Sequence, residues 1–462
     1  MENGNAAQRV IQDLRSLAAA ACPGARLPSV RELTARHQAS PVTVAEAIRQ
    51  LAAEGLIEAR PGRGTFVATP PDQPGVPDLS WQTVALGPRR FGQDEMQALL
   101  ALTPAGTIPL SGGYLHADLQ PAAALGAALT RAARQPASWQ RGPVEGRADL
   151  RAWFAREAGA GLHAEDVVIC PGGQAALSSA LRALTEPGDA LLVESPTYLG
   201  ALAAAHAAGL RVVPVPADAD GVRPDQLAAA FARTDARLFY CQPLYANPHG
   251  ATLAEHRRAQ VAEAVRDAGA FLIEDDYARD LTIDGPAPPP LASDDLDGHV
   301  IYLRSLTKST APGLRVAAIG ARGPAGARLR SARLLDDFFV AGPLQQAAID
   351  FLTSPAWSRH RRALRTALRT RRDALLTALR RHLPTLAPQS IPRGGMHLWV
   401  RLAAGTDDAA LAAAAAAEGV AVFPGRPWYA AEPPAPHLRL TYAAAAPELM
   451  DEAVRRLARV LR

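Results

Sequence analysis

The stretch YLRSLTKSTAPGLRVAAIG, residues 302–320, contains Lys308, the only lysine in a chain of 462 residues. The other 48 of the 49 Lys and Arg residues are arginines. The composition is rich in Ala and Arg, so a single lysine could remain by chance. A functional reason is also available, because arginine stays protonated whereas a lysine amine can lose its proton and attack a carbonyl. The residues around Lys308 decide between the two.

Short apolar segments alternate with Ala- and Leu-rich helical runs from residue 166 onward. The runs 174–185 and 252–268 have helical composition, and the strand-like segments are DVVIC (166–170), ALLVE (190–194), RVVPV (211–215), RLFYC (237–241), FLIED (271–275), VIYLRS (300–305) and VAAIG (316–320). Near-continuous apolar strands separated by helices predict an α/β fold with a largely parallel sheet buried on both faces. Ligands of such sheets bind where the strands end.

Four polar or glycine-rich features lie at these strand ends. One is the glycine pair before Gln174, which suits phosphate at a helix N-terminus but is also common in plain turns. Two others are the acidic run 274–276 with Tyr277, and Asn247 in an Asn-Pro turn. The fourth is Lys308 with Ser305 and Arg315 beside it.

Ser305, Arg315 and the glycine-rich helix start would hold a dianionic phosphate. With a free lysine and an acid for a ring nitrogen, this pattern indicates pyridoxal 5′-phosphate bound as a Schiff base.

The N-terminal seventy residues have a different pattern. A first helix is predicted from the apolar spacing of Val10, Leu14 and Leu17. A second helix starts with a capping box formed by Ser29 and Glu32. We expect its residues Val30 and Leu33 to face inward. A third helix starts after Ser40 with Pro41 as its first residue, buries Val44, Ile48 and Leu51, and ends at Gly55. A basic hairpin around residues 61–64 follows. This order is typical of a winged helix-turn-helix, although a small protein-docking module has the same pattern.

The segment LPSVRELTARHQASPVTVAEAIRQLAAEGLIEARPGRGTFV, residues 27–67, resembles the GntR-type winged-helix signature. The resemblance implies that a double-stranded DNA operator is contacted by Arg31, Ser40, Thr43, Arg60, Arg63, Gly64 and Thr65. Pro41 stands where that family usually has arginine, so one guanidinium available to base or phosphate is lost. With eight Arg and six acidic residues in 1–68, we expect a modest electrostatic contribution.

Residues 107–445 are similar to the fold type I aminotransferases, especially the aminoadipate and kynurenine aminotransferase branch. The similarity rests on motifs in the family's order: GPVEGRADLR (142–151), PGGQAAL (171–177), EPGD (186–189), VESPTY (193–198), ANPHG (246–250), IEDDY (273–277), SLTKSTAPGLRVA (305–317) and HLRLTYA (437–443).

This second resemblance implies a role for each matching residue. Lys308 would attach the cofactor, Asp275 would pair with its ring nitrogen and Tyr198 would stack on its ring. Asn247 and Tyr277 would contact the ring hydroxyl, and the phosphate would be bound by Gly173, Gln174, Ser305 and Arg315. Arg439 would receive the α-carboxylate of an amino acid. Arg141 replaces the family's tyrosine that reaches the neighbouring subunit's phosphate, and we expect Arg141 to do the same.

A GntR-type segment joined to an aminotransferase-like body is the organisation of the MocR-type regulators. The expected domains are a winged helix at 1–69, a proline-rich linker at 70–90 that includes PPDQPGVP (70–77), and an aminotransferase-like body at 91–462. The resemblance implies a homodimeric transcription regulator that senses pyridoxal phosphate or an amino compound. The rival hypothesis is a working aminotransferase with an appended winged helix.

The composition also bears on disulfides, metal sites and membrane association. Three scattered cysteines predict neither a disulfide framework nor a metal site. The chain shows no run of eighteen apolar residues and no signal segment, so we expect a cytoplasmic protein without a membrane partner. The basic stretch 359–382 is expected to form a long helix with solvated arginines, with DNA contact as the alternative.

Overall fold

The computed structural model describes residues 3–69, 78–86, 93–386 and 388–461. The chain divides into two compact units, Met1–Pro88 and Arg89–Arg462. The strip PPDQPGVP at 70–77 lies outside the described residues. Within the range predicted as linker, a short exposed helix, Ser80–Leu86, follows a turn in which the Asp78 carboxylate accepts from the Ser80 amide at 2.9 Å.

The first unit is the predicted set of helices and a hairpin. Its elements are α1 (Asn3–Ala20), α2 (Val30–His37), α3 (Pro41–Ala53), β1 (Ile57–Arg60), β2 (Gly64–Val67) and α4 (Ser80–Leu86). β1 and β2 pair antiparallel as a two-stranded ribbon. Val10, Leu14, Leu33, Val44 and Leu51 form its fully buried core.

Both predicted helix starts are confirmed. The Glu32 carboxylate accepts from the Ser29 amide at 2.7 Å, while the Ser29 hydroxyl accepts from the Glu32 amide. The Ser40 hydroxyl accepts from the Thr43 amide at 3.1 Å, with Pro41 as the first helical residue. The expected inward orientation of Val30 is wrong. This first residue of α2 is 39% exposed, because the buried face of the helix contains Leu33 and not Val30.

The second unit is built on an eight-stranded sheet. Its strands are β4 (Val167–Cys170), β5 (Ala190–Ser195), β6 (Arg211–Asp218), β7 (Gly221–Val222), β8 (Leu238–Cys241), β9 (Phe271–Asp275), β10 (Val300–Ser305) and β11 (Ala317–Gly320). Their order is β4-β11-β10-β9-β8-β5-β6-β7, and the five neighbouring strands from β10 to β6 are parallel. The predicted largely parallel sheet is therefore confirmed.

Helices cover both faces of this sheet. Leu191 and Val193 of β5 pack in one apolar cluster with residues of the helices Gly173–Leu184 and Leu199–Ala207, whereas Leu192 packs in another with residues of the helices Pro224–Arg233 and Glu255–Asp267. Because successive side chains of a strand point to opposite faces, the two clusters lie on opposite sides of the sheet. The helices of this unit are α5 (Gln93–Leu100), α6 (Ala122–Ala133), α7 (Ala148–Ala158), α8 (Gly173–Leu184), α9 (Leu199–Ala207), α10 (Pro224–Arg233), α11 (Glu255–Asp267), α12 (Gly323–Asp337), α13 (Gly342–Leu352), α14 (Pro355–His382), α15 (Asp408–Ala417) and α16 (Met450–Val460).

Two smaller sheets complete the second unit. One is antiparallel, with the order β12 (His397–Arg401), β15 (His437–Thr441) and β14 (Phe423–Pro424). The other pairs β13 (Val420–Ala421) with β3 (Ile108–Pro109) in parallel. Residues of α14, α15 and α16 share one buried core with β12 and β15.

The long helix α14 differs from its prediction in one respect. Arg371 and Arg372 are buried rather than solvated. Arg371 pairs with Asp118 at 2.7 Å and donates to the Ala445 carbonyl, and Arg372 pairs with Asp284 and donates to the Pro392 carbonyl. Buried guanidinium groups need such partners, and the sequence pattern does not show them. Among the described residues, no helix has both the length and the apolar character needed to span a bilayer.

Candidate functional site

A cavity of about 230 Å³ opens where the parallel strands of the large sheet end. Ten of the eleven residues predicted for the cofactor and its substrate line it: Gly173, Gln174, Tyr198, Asn247, Asp275, Tyr277, Ser305, Lys308, Arg315 and Arg439. Arg141 is exposed and does not line the cavity of its own chain. The structure thus brings together residues separated by up to 266 positions in the sequence, from Gly173 to Arg439.

Lys308 lies in the loop after β10, with its amine inside the cavity. The Nζ atom donates to the Gly113 carbonyl at 2.7 Å and lies 3.8 Å from the centroid of the Tyr114 ring. Burial lowers the pKa of this amine to about 7, the positive charges of Arg439 and Arg315 act in the same direction, and the charge of Asp275 opposes them. An amine with this pKa is partly unprotonated near neutral pH and can act as a nucleophile.

Asp275 ends β9 as a buried carboxylate. Its Oδ2 atom accepts from the Tyr240 hydroxyl at 2.6 Å and from Gln242 Nε2 at 2.9 Å. Burial raises the pKa of Asp275 to about 6, although the two hydrogen bonds act in the opposite direction. Within the described part of the chain both of its hydrogen bonds are made by Oδ2, so Oδ1 is available to a cationic ring N–H.

The start of α8 and the loop after β10 form an anion-binding cradle. Gly172 has a φ of 119°, and a side chain there would overlap the Arg315 guanidinium, so only glycine lets this group approach the helix start. The first N–H groups of a helix have no partner within it and favour an anion. The Ser305 hydroxyl accepts from the Thr307 amide at 3.2 Å, which leaves its own proton to donate.

Arg439 is a fully buried cation without a carboxylate partner in the described chain. Its guanidinium donates to Asn247 Oδ1 at 3.2 Å and to the Ser111 carbonyl, and it lies 4.4 Å from the centroid of the Trp428 ring. Burial lowers the pKa of this group to about 9. Since an unpaired buried charge is costly, the arrangement favours an anionic ligand group at this point.

The two cavity tyrosines are held by hydrogen bonds of their hydroxyl groups. The Tyr198 hydroxyl donates to Gln174 Oε1 at 3.2 Å, and Gln174 Nε2 in turn donates to the Gly200 carbonyl. The Tyr277 hydroxyl donates to the Tyr245 carbonyl at 2.7 Å. Both phenols are kept neutral, because burial raises the pKa of each above its ordinary value.

Several lining residues were missed by the sequence analysis. They are Met96, Leu99, Leu100, Gly113, Tyr114, Leu177, Gln242, Thr307 and His397. The glycine pair before Tyr114 and the one before Met396-His397 were possible signals, because such pairs often mark a close approach of the backbone.

The residues predicted to contact DNA lie in the first unit and differ in accessibility. Arg31, Ser40 and Arg63 are exposed, and Thr43 is half-buried beside its bond to Ser40. Thr65 is 6% exposed and lies on the inward face of β2, and its contact with DNA stays a prediction.

Two arginines lie beside the hairpin: Arg60, which was predicted to contact DNA, and Arg26, which was not. Arg60 pairs with Glu58 at 2.8 Å and lies 4.9 Å from the centroid of the Phe66 ring. A Cβ atom on Gly64, whose φ is 113°, would lie 3.2 Å from Arg26 Nε, so the exposed Arg26 rests against the start of β2.

Two protein families match the chain, one in each of its two compact units. Residues 3–67 match the family described as bacterial regulatory proteins, gntR family, and residues 111–457 match aminotransferase class I and II.

Individual relatives fall into both groups. The chain is 33% identical to a 2-aminoadipate transaminase of Thermus thermophilus, over 83% of this chain and 98% of the relative. It is 27% identical to the HTH-type transcriptional regulator YdcR of Escherichia coli, over 98% of each chain. A probable rhizopine catabolism regulatory protein, MocR, of Rhizobium meliloti is 27% identical over 94% of this chain and 88% of its own length.

A solved structure with a similar fold contains a cofactor derivative. It is the α-aminoadipate aminotransferase LysN of Thermus thermophilus in complex with N-(5′-phosphopyridoxyl)-L-leucine. The TM-score is 0.75 at 31% identity, and the match covers 83% of this chain and 98% of that one.

Proposed function

The chain belongs to the class I and II aminotransferase family and begins with a gntR-family domain, as MocR-type regulators do, and on this premise we propose that it regulates transcription through a ligand-sensing aminotransferase-like domain. The winged helix binds a double-stranded DNA operator, and the body senses pyridoxal 5′-phosphate, an amino compound, or both. The proposed domains are 1–69 and 91–462, joined by the linker 70–90. The observation that carries the proposal is that one chain holds both a winged helix and the Lys308 cavity.

The cavity fits pyridoxal phosphate at three points. The only lysine has a depressed pKa and no carboxylate partner in the described chain. The cradle of Gly173, Ser305 and Arg315 suits a dianion, and the absence of a side chain at residue 172 keeps it open. The free Oδ1 atom of Asp275 suits a protonated pyridine nitrogen. When bound, this cofactor supplies an electron sink for bonds at the amino carbon of a ligand.

Each residue of the chain then has a proposed task. Lys308 attaches the cofactor through its amine, and Asp275 holds a proton on the ring nitrogen. Gly173, Gln174, Ser305 and Arg315 bind phosphate, Asn247 and Tyr277 orient the ring hydroxyl, and Tyr198 covers the ring. Arg439 binds the α-carboxylate of an amino-acid ligand, which provides the anion that its buried guanidinium lacks.

A homodimer is part of the same proposal. Trp139, Leu335 and Phe338 are large apolar side chains that are 67%, 89% and 69% exposed. Where such side chains form one surface patch, they mark a site of protein–protein contact. Arg141 lies two residues from Trp139 and is exposed, so it is accessible to a second copy of the chain.

A working aminotransferase is the second candidate, favoured by the 33% identity to a 2-aminoadipate transaminase and by the cavity residues described above. Two assays on one preparation distinguish the candidates. A DNA shift assay on sequences next to the protein's own gene, repeated with added amino compounds, tests the regulator. Repeated conversion of an amino acid with 2-oxoglutarate tests the enzyme. Absence of specific DNA binding together with sustained turnover would reject the regulator.

A further inference from the structure

His397 is a cavity residue for which the proposed function has no task. It begins β12, is 3% exposed and lines the cavity with Lys308 and Arg439. In the antiparallel pairing of β12 with β15, His397 lies opposite Thr441 and Trp399 lies opposite Arg439. Residues two apart on a strand share a face, as do directly paired residues. His397 and Arg439 therefore belong to the same face of the small sheet.

A chain of hydrogen bonds determines which ring nitrogen of His397 carries the proton. The Thr441 hydroxyl lies 2.6 Å from the Gly112 carbonyl, which can only accept, so Thr441 donates its single proton there. The same hydroxyl oxygen lies 2.9 Å from His397 Nδ1 and must act as the acceptor in that bond. The proton of the neutral ring is therefore on Nδ1.

The other ring nitrogen is left as an acceptor. Burial, together with the charges of Arg439 and Lys308, holds the pKa of His397 well below its ordinary value, so the ring is neutral at physiological pH. Nε2 then carries a lone pair, and among the described residues the only hydrogen bond of the His397 ring is the one at Nδ1. A buried acceptor on a cavity wall costs free energy unless a ligand or water donates to it.

We propose that His397 Nε2 accepts a hydrogen bond from the side chain of the sensed amino compound, and that the site thereby selects α-amino acids with a neutral N–H or O–H donor. This inference rests on the proposed function, because it assigns a property to the ligand of that site. A carboxylate side chain offers no proton. An ammonium side chain would lose its hydration without gaining a counter-ion, because the only carboxylate among the described lining residues, Asp275, is assigned to the ring nitrogen.

The rest of the ligand side chain has an apolar surface available. Met96 and Leu99 of α5 and Leu177 of α8 also line the cavity. The fitting side chain combines an apolar body with one hydroxyl, amide or indole N–H group. A site built around such a bond binds the analogue without the donor more weakly, because the histidine nitrogen would then stay unpaired.

The test uses the full-length protein loaded with pyridoxal phosphate, titrated with pairs of amino acids that differ in one donor. The pairs are tyrosine and phenylalanine, threonine and valine, and glutamine and methionine, and the cofactor spectrum is the readout. One neutral hydrogen bond corresponds to roughly a three- to tenfold preference for the donor member of a pair. His397→Phe should abolish the preference, whereas His397→Gln, which places an amide oxygen near the Nε2 position, should restore much of it.

The outcomes separate this inference from the proposed function. A spectral response without donor preference in the parent, or an unchanged preference in His397→Phe, overturns the role of His397 alone. Equal loss in the Phe and Gln variants indicates a packing role and overturns it as well. If no amino compound changes either the spectrum or DNA binding, amino-compound sensing is rejected and the inference with it.

Discussion

The amine of Lys308 lies 3.8 Å from the centroid of the Tyr114 ring, although the two residues are separated by 194 positions in the sequence. A ring face attracts the protonated amine, so Tyr114 counteracts in part the burial that lowers the pKa of Lys308 to about 7. The reactivity of the lysine therefore depends on a residue from a distant loop.

The first prediction concerns pH. Only the unprotonated amine attacks a carbonyl, so the rate of pyridoxal phosphate attachment to the apo protein should rise through pH 7 and level off above pH 8. Tyr114→Leu removes the ring and should move the midpoint down by about half a pH unit, since a cation–π contact contributes about 0.5–1 kcal/mol. Tyr114→Phe keeps the ring and should leave it unchanged. A rate that still rises at pH 10 would show an ordinary lysine.

The second prediction concerns the identity of the residue at 308. Lys308→Arg keeps a cation in the cavity but removes the nucleophile, because arginine does not deprotonate in proteins. Borohydride treatment followed by mass spectrometry should find the cofactor attached at Lys308 in the parent and nowhere in the variant. Circular dichroism and DNA binding serve as controls for folding. Covalent cofactor in the arginine variant would contradict the assignment, since the chain has no second lysine.

The third prediction concerns the buried cation Arg439. Arg439→Ala should weaken the response to amino acids by roughly 30- to 100-fold, because charge-assisted bonds to a carboxylate contribute about 2–3 kcal/mol. The control uses a different ligand. An amine that lacks the carboxylate should bind the parent protein and Arg439→Ala with the same affinity. Spectral titration of the cofactor measures both. If the variant responds to amino acids at the parent's concentrations, the carboxylate binds elsewhere.

The sequence predicted the fold well because its signals are local. Strand alternation, the Ser29 capping box and the Ser40–Pro41 helix start depend on neighbours a few residues apart, and the structure confirms them. The errors concern which way a side chain faces and what it pairs with. Arg371 meets Asp118 across 253 positions, and Val30 faces outward at the start of α2. Tyr114 and His397 were missed for the same reason, since periodicity carries no information about partners hundreds of residues away.

The fourth prediction concerns the winged helix. Arg31→Ala and Arg63→Ala should each weaken operator binding and reduce the slope of log affinity against log salt by about one, since each lost phosphate contact releases one fewer counterion. Both arginines are exposed. Arg15→Ala is the matched control, because Arg15 is paired with Glu54 at 2.7 Å and was not predicted to touch DNA. Equal slopes in all four proteins would remove Arg31 and Arg63 from the interface.

The fifth prediction concerns Arg141, which is expected from the resemblance to the aminotransferases to reach the neighbouring subunit's phosphate. Within its own chain Arg141 is exposed and lies outside the cavity, close to the exposed Trp139. If the partner's phosphate is its target, the guanidinium forms a charge-assisted bond to a dianion and cofactor retention depends on dimerisation.

Cofactor dissociation from the dimer should then be roughly tenfold or more faster in Arg141→Ala, in line with the loss of one charge-assisted bond. Arg141→Tyr should restore much of the retention, because its hydroxyl can donate to the same phosphate. Diluting the parent below its dimer dissociation constant should release cofactor at a rate close to that of the alanine variant. Arg134→Ala is the matched control, as Arg134 is an exposed arginine at the end of α6 outside the cavity. Equal retention by the parent, Arg141→Ala and Arg141→Tyr would show that each chain satisfies its phosphate alone.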